Sequence, residues 1–163
     1  KHMITSEVFQ ERLEEQSIFW NDDLDLAASM AIKTIKTIRE TDDDITLLPL
    51  WREDDDDKQF LETLFVESLA QAEVNEILVT EAAKNWELER IALMDRILMK
   101  MALAEAKSFS SIPLKVTLNE YIELSKYYST PKSNGFINGV LDQLFTQLKK
   151  DGTIVKIGRG LIE

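Results

Sequence analysis

The chain has 163 residues, 44% of them hydrophobic and none of them cysteine, which is enough for one domain or two small helical lobes with a core and which excludes disulfides, thiolate metal sites and cysteine nucleophiles. Its net charge of −11 is unevenly divided: residues 1–95 carry 9 basic and 24 acidic residues (−15), whereas residues 96–163 carry 10 and 6 (+4), so the front repels phosphate backbones and suits a basic protein partner while the back tolerates RNA. No apolar run approaches the roughly 20 residues of a membrane span and no signal-peptide pattern opens the chain, so a cytoplasmic protein is expected.

The opening Lys1-His2-Met3 looks like a vector remnant. The native sequence is then expected to begin near Ile4, as the C-terminal part of a longer protein, and His2, the sole histidine, has no functional role. The pattern that follows is helical almost throughout, with 5 Gly and 3 Pro to interrupt it. A first helix is predicted over Thr5 to Phe19. A second is predicted over Asp22 to Arg39, where Leu24, Ala27, Ala28, Ala31, Ile35 and Ile38 recur at three- and four-residue steps on one face. Thr41 to Asp44 form an acidic connection, and Ile45 to Trp51 a short apolar linker.

Four aspartates, Asp54 to Asp57, precede the third helix, predicted over Asp57 to Ala70 with Phe60, Leu61, Leu64 and Phe65 buried. Acids there suit the positive end of a helix dipole; contiguous acids on a helix point in different directions and make a poor metal site. A fourth helix is predicted over Ala72 to Ala83. Leu88 to Lys107 is apolar nearly all round, as a helix contacted from several sides in a bundle must be. Its polar remainder, Glu89, Arg96, Lys100 and Lys107, falls on one stripe at spacings of seven, four and seven. Asp95 and Glu105, embedded in this apolar helix, are expected to form buried ion pairs or to cap a neighbouring loop.

Thr117-Leu118-Asn119-Glu120 fits a capping box, which places the sixth helix at Leu118 to Tyr128. Ser133 is a plausible cap for a last helix over Asn134 to Lys149, with Ile137, Val140, Leu141, Leu144, Phe145 and Leu148 as its apolar stripe. Gly139 inside that helix costs about 1 kcal/mol relative to alanine, so a neighbour is expected to approach it closely. After Asp151-Gly152 the tail alternates briefly and ends in a loose Gly158-Arg159-Gly160. Composition divides the chain into the remnant 1–3, a helical part 4–85, a second helical part 86–150 and a tail 151–163.

No Walker-type loop, no GxGxxG after a strand, no HExxH and no nucleophile elbow occurs. The expectation is a non-enzymatic protein with no catalytic residue, no metal and no cofactor.

Three stretches, in order, carry a family resemblance: Glu89 to Glu105, then Ile112-Pro113-Leu114-Lys115-Val116 running through Thr117-Leu118-Asn119-Glu120 to Lys126, then Phe136-Ile137-Asn138-Gly139-Val140-Leu141-Asp142. Together they resemble the NusB family, over about Trp86 to Leu148. The resemblance implies an all-α bundle of about seven helices in two subdomains. It also implies a transcription antitermination factor that pairs with a NusE-like ribosomal protein and contacts boxA-like single-stranded RNA. Lys100, Lys115, Lys132 and Phe136 fall where family members approach RNA or partner, and Arg96 and Lys107 share the stripe with Lys100, so these six are the candidate RNA-binding residues. Asn119, Glu120, Asn138 and Gly139 look like packing and helix-start residues. The sequence departs from the family in showing no arginine-rich segment at its front, so either that segment was cut away with an upstream region or this version binds RNA poorly; weak RNA binding is expected of the chain as it stands. Two alternatives remain: the NusB-like RNA-recognition domain of a ribosomal RNA cytosine methyltransferase, for which an Ala-Val-Leu-Arg type would replace Gly139 to Asp142, and a structural interaction domain without RNA binding.

Overall fold

A computed structural model describes residues 5–41, 44–48, 54–84, 86 and 91–161. Among these residues there are seven α-helices and a short 3₁₀ turn, and no strand. The fold is all-α, as the periodicity predicts. The helices are α1 (Glu7–Glu14), α2 (Trp20–Thr37), α3 (Asp54–Ala70), α4 (Ala72–Ala83), α5 (Leu93–Ser108), α6 (Leu114–Tyr128) and α7 (Ser133–Lys150), and the 3₁₀ turn is η1 (Gly158–Leu161). They form two compact units, Lys1–Asp54 and Asp55–Glu163. The boundary expected at 85/86 falls inside the second unit, because α4 packs on both α5 and α7.

In the first unit α1 packs on α2. α1 is shorter than predicted. After Glu14 the amides of Gln16 and Ser17 both turn back onto the Leu13 carbonyl, a tightening typical of a helix end, and the chain reaches Trp20 through turns. Val8, Leu26, Ile32 and Ile35 stay exposed. The apolar linker expected over Ile45 to Trp51 is exposed at Ile45 and Leu47 and half-buried at Leu48; Pro49 to Trp51 lie outside the described residues.

The second unit holds the core. α5 is its centre, packed against α4, α6 and α7, which is why its sequence is apolar on every side. Met99, Ala102, Leu103 and Ala104 are wholly buried there, and α7 presents Phe136, Ile137, Val140, Leu141, Leu144, Phe145 and Leu148 to the same core. α5 starts at Leu93, not at Leu88: Ala92 has an extended backbone, and 87–90 lie outside the described residues. α3 takes in the whole aspartate run, starting at Asp54 and not at the predicted Asp57; Phe60 and Leu64 are half-buried, Phe60 against Phe109, but several other apolar residues face outward. Leu61, Phe65, Val66 and Leu69 are more than half exposed. Leu61 and Phe65 lie one turn apart on one stripe, and the burial predicted for them fails because that stripe lines an open groove beside α5 instead of meeting a packed neighbour.

α6 begins four residues before the predicted start. Pro113, with φ −60° and ψ 140°, caps it, and its carbonyl accepts the amides of Val116 and Thr117. A proline needs no amide partner and has φ preset, so it displaces the capping box; Thr117 is instead fully buried inside the helix. Asn119 and Glu120 accordingly lie in the helix body, exposed. The tail is not loose. Ile154 N–H bonds to Leu148 O and Ile157 N–H to Ser110 O, while Lys156 Nζ donates to Phe109 O at 2.8 Å. Gly160 is buried against the Ser110 carbonyl, which would stand 2.0 Å from a β-carbon at that position. No helix among the described residues is long and apolar enough to cross a membrane.

Candidate nucleic-acid and partner surfaces

Of the stripe on α5, Glu89 lies outside the described residues; Arg96, Lys100 and Lys107 lie on one side of the helix as their spacing predicts, and that side faces α4 as well as solvent. Glu76 of α4 receives Arg96 Nη2 on one carboxylate oxygen, at 2.5 Å, and Lys100 Nζ on the other, at 3.2 Å. Burial pushes Glu76 up, and its two cations more than offset this, holding its carboxyl below the ordinary range. Seven residues further along, Lys107 Nζ donates to Asn75 Oδ1 at 2.6 Å. Asn75 is fully buried and also donates to the Lys100 carbonyl at 3.2 Å. Burial lowers the Lys107 ammonium from its usual value. The three cations therefore serve first as ties between α4 and α5, and one of their charges is cancelled by Glu76. Spacing along α5 could not disclose this, because Glu76 and Asn75 lie on another helix.

Lys115 and Lys132 are exposed, at the start of α6 and just before α7. Phe136 is only 5% exposed. Its ring meets Trp86 edge-on, with centroids 5.4 Å apart and planes at 83°, so a base could stack on it only if Trp86 moved aside. Trp86 also lies over Gly139, where a β-carbon would stand 2.3 Å from the indole. The close neighbour expected at that glycine is this ring.

Asp95 and Glu105 are held as buried structural groups. Asp95 accepts hydrogen bonds from Ser129 and, at 2.9 Å, from Ser133, and so ties the α6–α7 loop to the base of α5. It caps a loop, one of the two roles expected. Glu105 accepts the Tyr121 hydroxyl at 3.0 Å and has no ion-pair partner within contact distance among the described residues. Burial raises its carboxyl, offset in part by that hydrogen bond and by the charge of Lys156. Burial likewise pushes the Tyr121 phenol up.

A second feature lies between α3 and α5. Leu61, Phe65, Leu69, Ile97 and Met101 line an open groove of about 580 Å³, with Glu62 and Lys100 at its edge. The segment 56–84 around it carries seven acidic residues against two lysines. Contiguous exposed apolar surface rimmed by charge is uncommon on a soluble monomer.

A sequence model described as the NusB family matches residues 22–145, most of the chain. The chain belongs to the NusB family of transcription antitermination factors. It is 39% identical over 143 residues to the transcription antitermination protein NusB of Salinibacter ruber, covering 83% of this chain and 89% of that protein. The NusB protein of Chloroherpeton thalassium is 45% identical over 85 residues, 52% of this chain and 40% of its own length. That of Natranaerobius thermophilus is 34% identical over 92 residues, 56% and 66%. The NusB match begins in α2 and ends in α7, so it takes in most of α2 together with α3 and α4, which the three motifs leave out, but not α1.

Proposed function

We propose that this NusB-type factor acts through two non-covalent contacts, one with a basic, NusE-like ribosomal protein and one with boxA-like single-stranded RNA, and performs no chemistry of its own. The observation that carries the protein contact is the apolar groove between α3 and α5 in its acidic surroundings. Buried apolar area supplies affinity, and the surrounding acids steer a basic partner and speed encounter in a salt-dependent way. The RNA contact rests on Lys100, Arg96 and Lys107 along α5, with Lys115 and Lys132 at helix starts and Phe136 beneath Trp86. Because Glu76 occupies two of these cations, RNA affinity is weak, in the micromolar range or above.

Calorimetry with the cognate ribosomal protein at low salt tests the first contact. Binding that weakens as salt rises, and that is lost in Phe65→Asp, is expected; no heat from folded protein overturns it. Fluorescence anisotropy with a labelled boxA-like RNA tests the second, and Lys100→Glu should weaken that binding.

A further inference from the structure

The positive charge of the second unit that is not engaged with Glu76 or Asn75 concentrates elsewhere, at its C-terminal end. Residues 145–161 carry Lys149, Lys150, Lys156 and Arg159 against Asp151 alone. The pinned tail folds part of this charge against the start of α6 and the end of α7, enclosing a cleft of about 360 Å³. Lys115, Lys149 and Lys156 line it, with Leu118 and Phe145 among its apolar lining and Asp142 the one acid.

Lys156 is the informative member. It is 8% exposed, and of its three ammonium donors one is used, by the Phe109 carbonyl at 2.8 Å; no second acceptor contacts it among the described residues. Burying a cation with donors unfilled is costly, and an oxyanion entering the cleft would fill them. Lys115 makes no ion pair among the described residues, so its charge is also available there. Three cations and one acid line the cleft, with the Glu105 carboxylate close enough to Lys156 to feel its charge, and a partly desolvated cation attracts an anion more strongly than one in bulk water.

The geometry points to this cleft as a phosphate-binding site for the backbone of single-stranded RNA, separate from the cations on α5. This rests on the RNA contact proposed above and extends it: two basic surfaces along one strand, with phosphates held at the cleft fixing the strand's position while base recognition lies elsewhere. The apolar lining suits the sugar and base faces of an extended strand better than a fully hydrated free anion.

The test is a salt series of anisotropy titrations with a short fluorescein-labelled RNA, on the parental chain and on three variants. These are Lys115→Gln with Lys149→Gln together, Lys100→Gln, and Lys126→Gln as a control on the exposed far end of α6. Surface lysine substitutions of this kind change stability by about 0.5 kcal/mol or less, and a thermal melt confirms folding. Removing two phosphate contacts should reduce the slope of log K against log salt by about 1.4, which is roughly 25-fold in affinity at about 0.1 M salt if the electrostatic part vanishes near 1 M. Lys126→Gln should leave the slope unchanged. If the double variant keeps the parental slope while Lys100→Gln loses part of it, the cleft is overturned and the RNA reading stands. If the parental chain binds no RNA, both fall. If a polyglutamate peptide binds with the RNA's affinity and loses it in the double variant, the cleft is a site for acidic protein, and the RNA assignment is overturned.

Discussion

The Trp86 indole lies directly on Gly139, 2.3 Å from where a β-carbon would stand. The same ring meets Phe136 edge-on, so one residue ahead of α5 covers the first two turns of α7. Alanine at position 139 gains about 1 kcal/mol of helix propensity, yet overpacking against a ring of this size costs about 1–3 kcal/mol, and the steric term wins. Gly139→Ala should destabilise the protein by up to about 2 kcal/mol in a urea melt. In a Trp86→Ala background the same change should become neutral or stabilising. A destabilisation of equal size in both backgrounds would show that the ring is not what the glycine accommodates.

Leu98 is 4% exposed on the central helix. Leu98→Ala should cost about 2–5 kcal/mol, the loss of transfer free energy plus a cavity that close-packed neighbours fill only in part. A change below about 1 kcal/mol in denaturant unfolding would be inconsistent with α5 as the centre of the bundle.

Glu76 holds Arg96 and Lys100 together at a partly exposed seam between α4 and α5, where solvent still screens the charges and ion pairs contribute about 0–1 kcal/mol. Glu76→Gln should therefore alter stability little while releasing two cations toward solvent. RNA affinity should rise and its salt dependence steepen by about 0.7 for each additional phosphate neutralised. An unchanged salt slope in anisotropy titrations would mean that RNA does not approach this face.

Glu105 gives stability a pH dependence of known sign. Its folded carboxyl is raised above the ordinary 4.5 by burial, so the folded state holds the proton more tightly than the unfolded one. Its contribution is most favourable below pH 4.5 and declines as pH climbs through the folded value. Glu105→Gln keeps an acceptor for the Tyr121 hydroxyl and removes the titration. Stability measured across this window should fall less with rising pH in the variant than in the parent; parallel curves would show that Glu105 does not titrate differently on folding.

The sequence by itself determined the helical class, the central position of α5 and the buried stripe of α7, because those follow from the period of apolar residues along a single helix. Motif order and spacing likewise disclosed the family. The glycine at 139 announced a close neighbour, since only a backbone approach or a large side chain explains that cost inside a helix. What the sequence left open depends on partners distant along the chain. Glu76 and Asn75 engage the α5 cations across 20 to 32 residues, and nothing local to α5 marks that pairing. Pro113 outcompeted the capping box at Thr117 because tertiary packing buries Thr117, an environment no local motif reports. The tail that reads as flexible is fixed by carbonyls at Phe109 and Ser110, nearly 50 residues away. Periodicity assigns a face to each helix; only the folded chain decides which charges meet across those faces, because hydrogen bonds and ion pairs depend on separations of a few ångströms that the sequence does not encode locally.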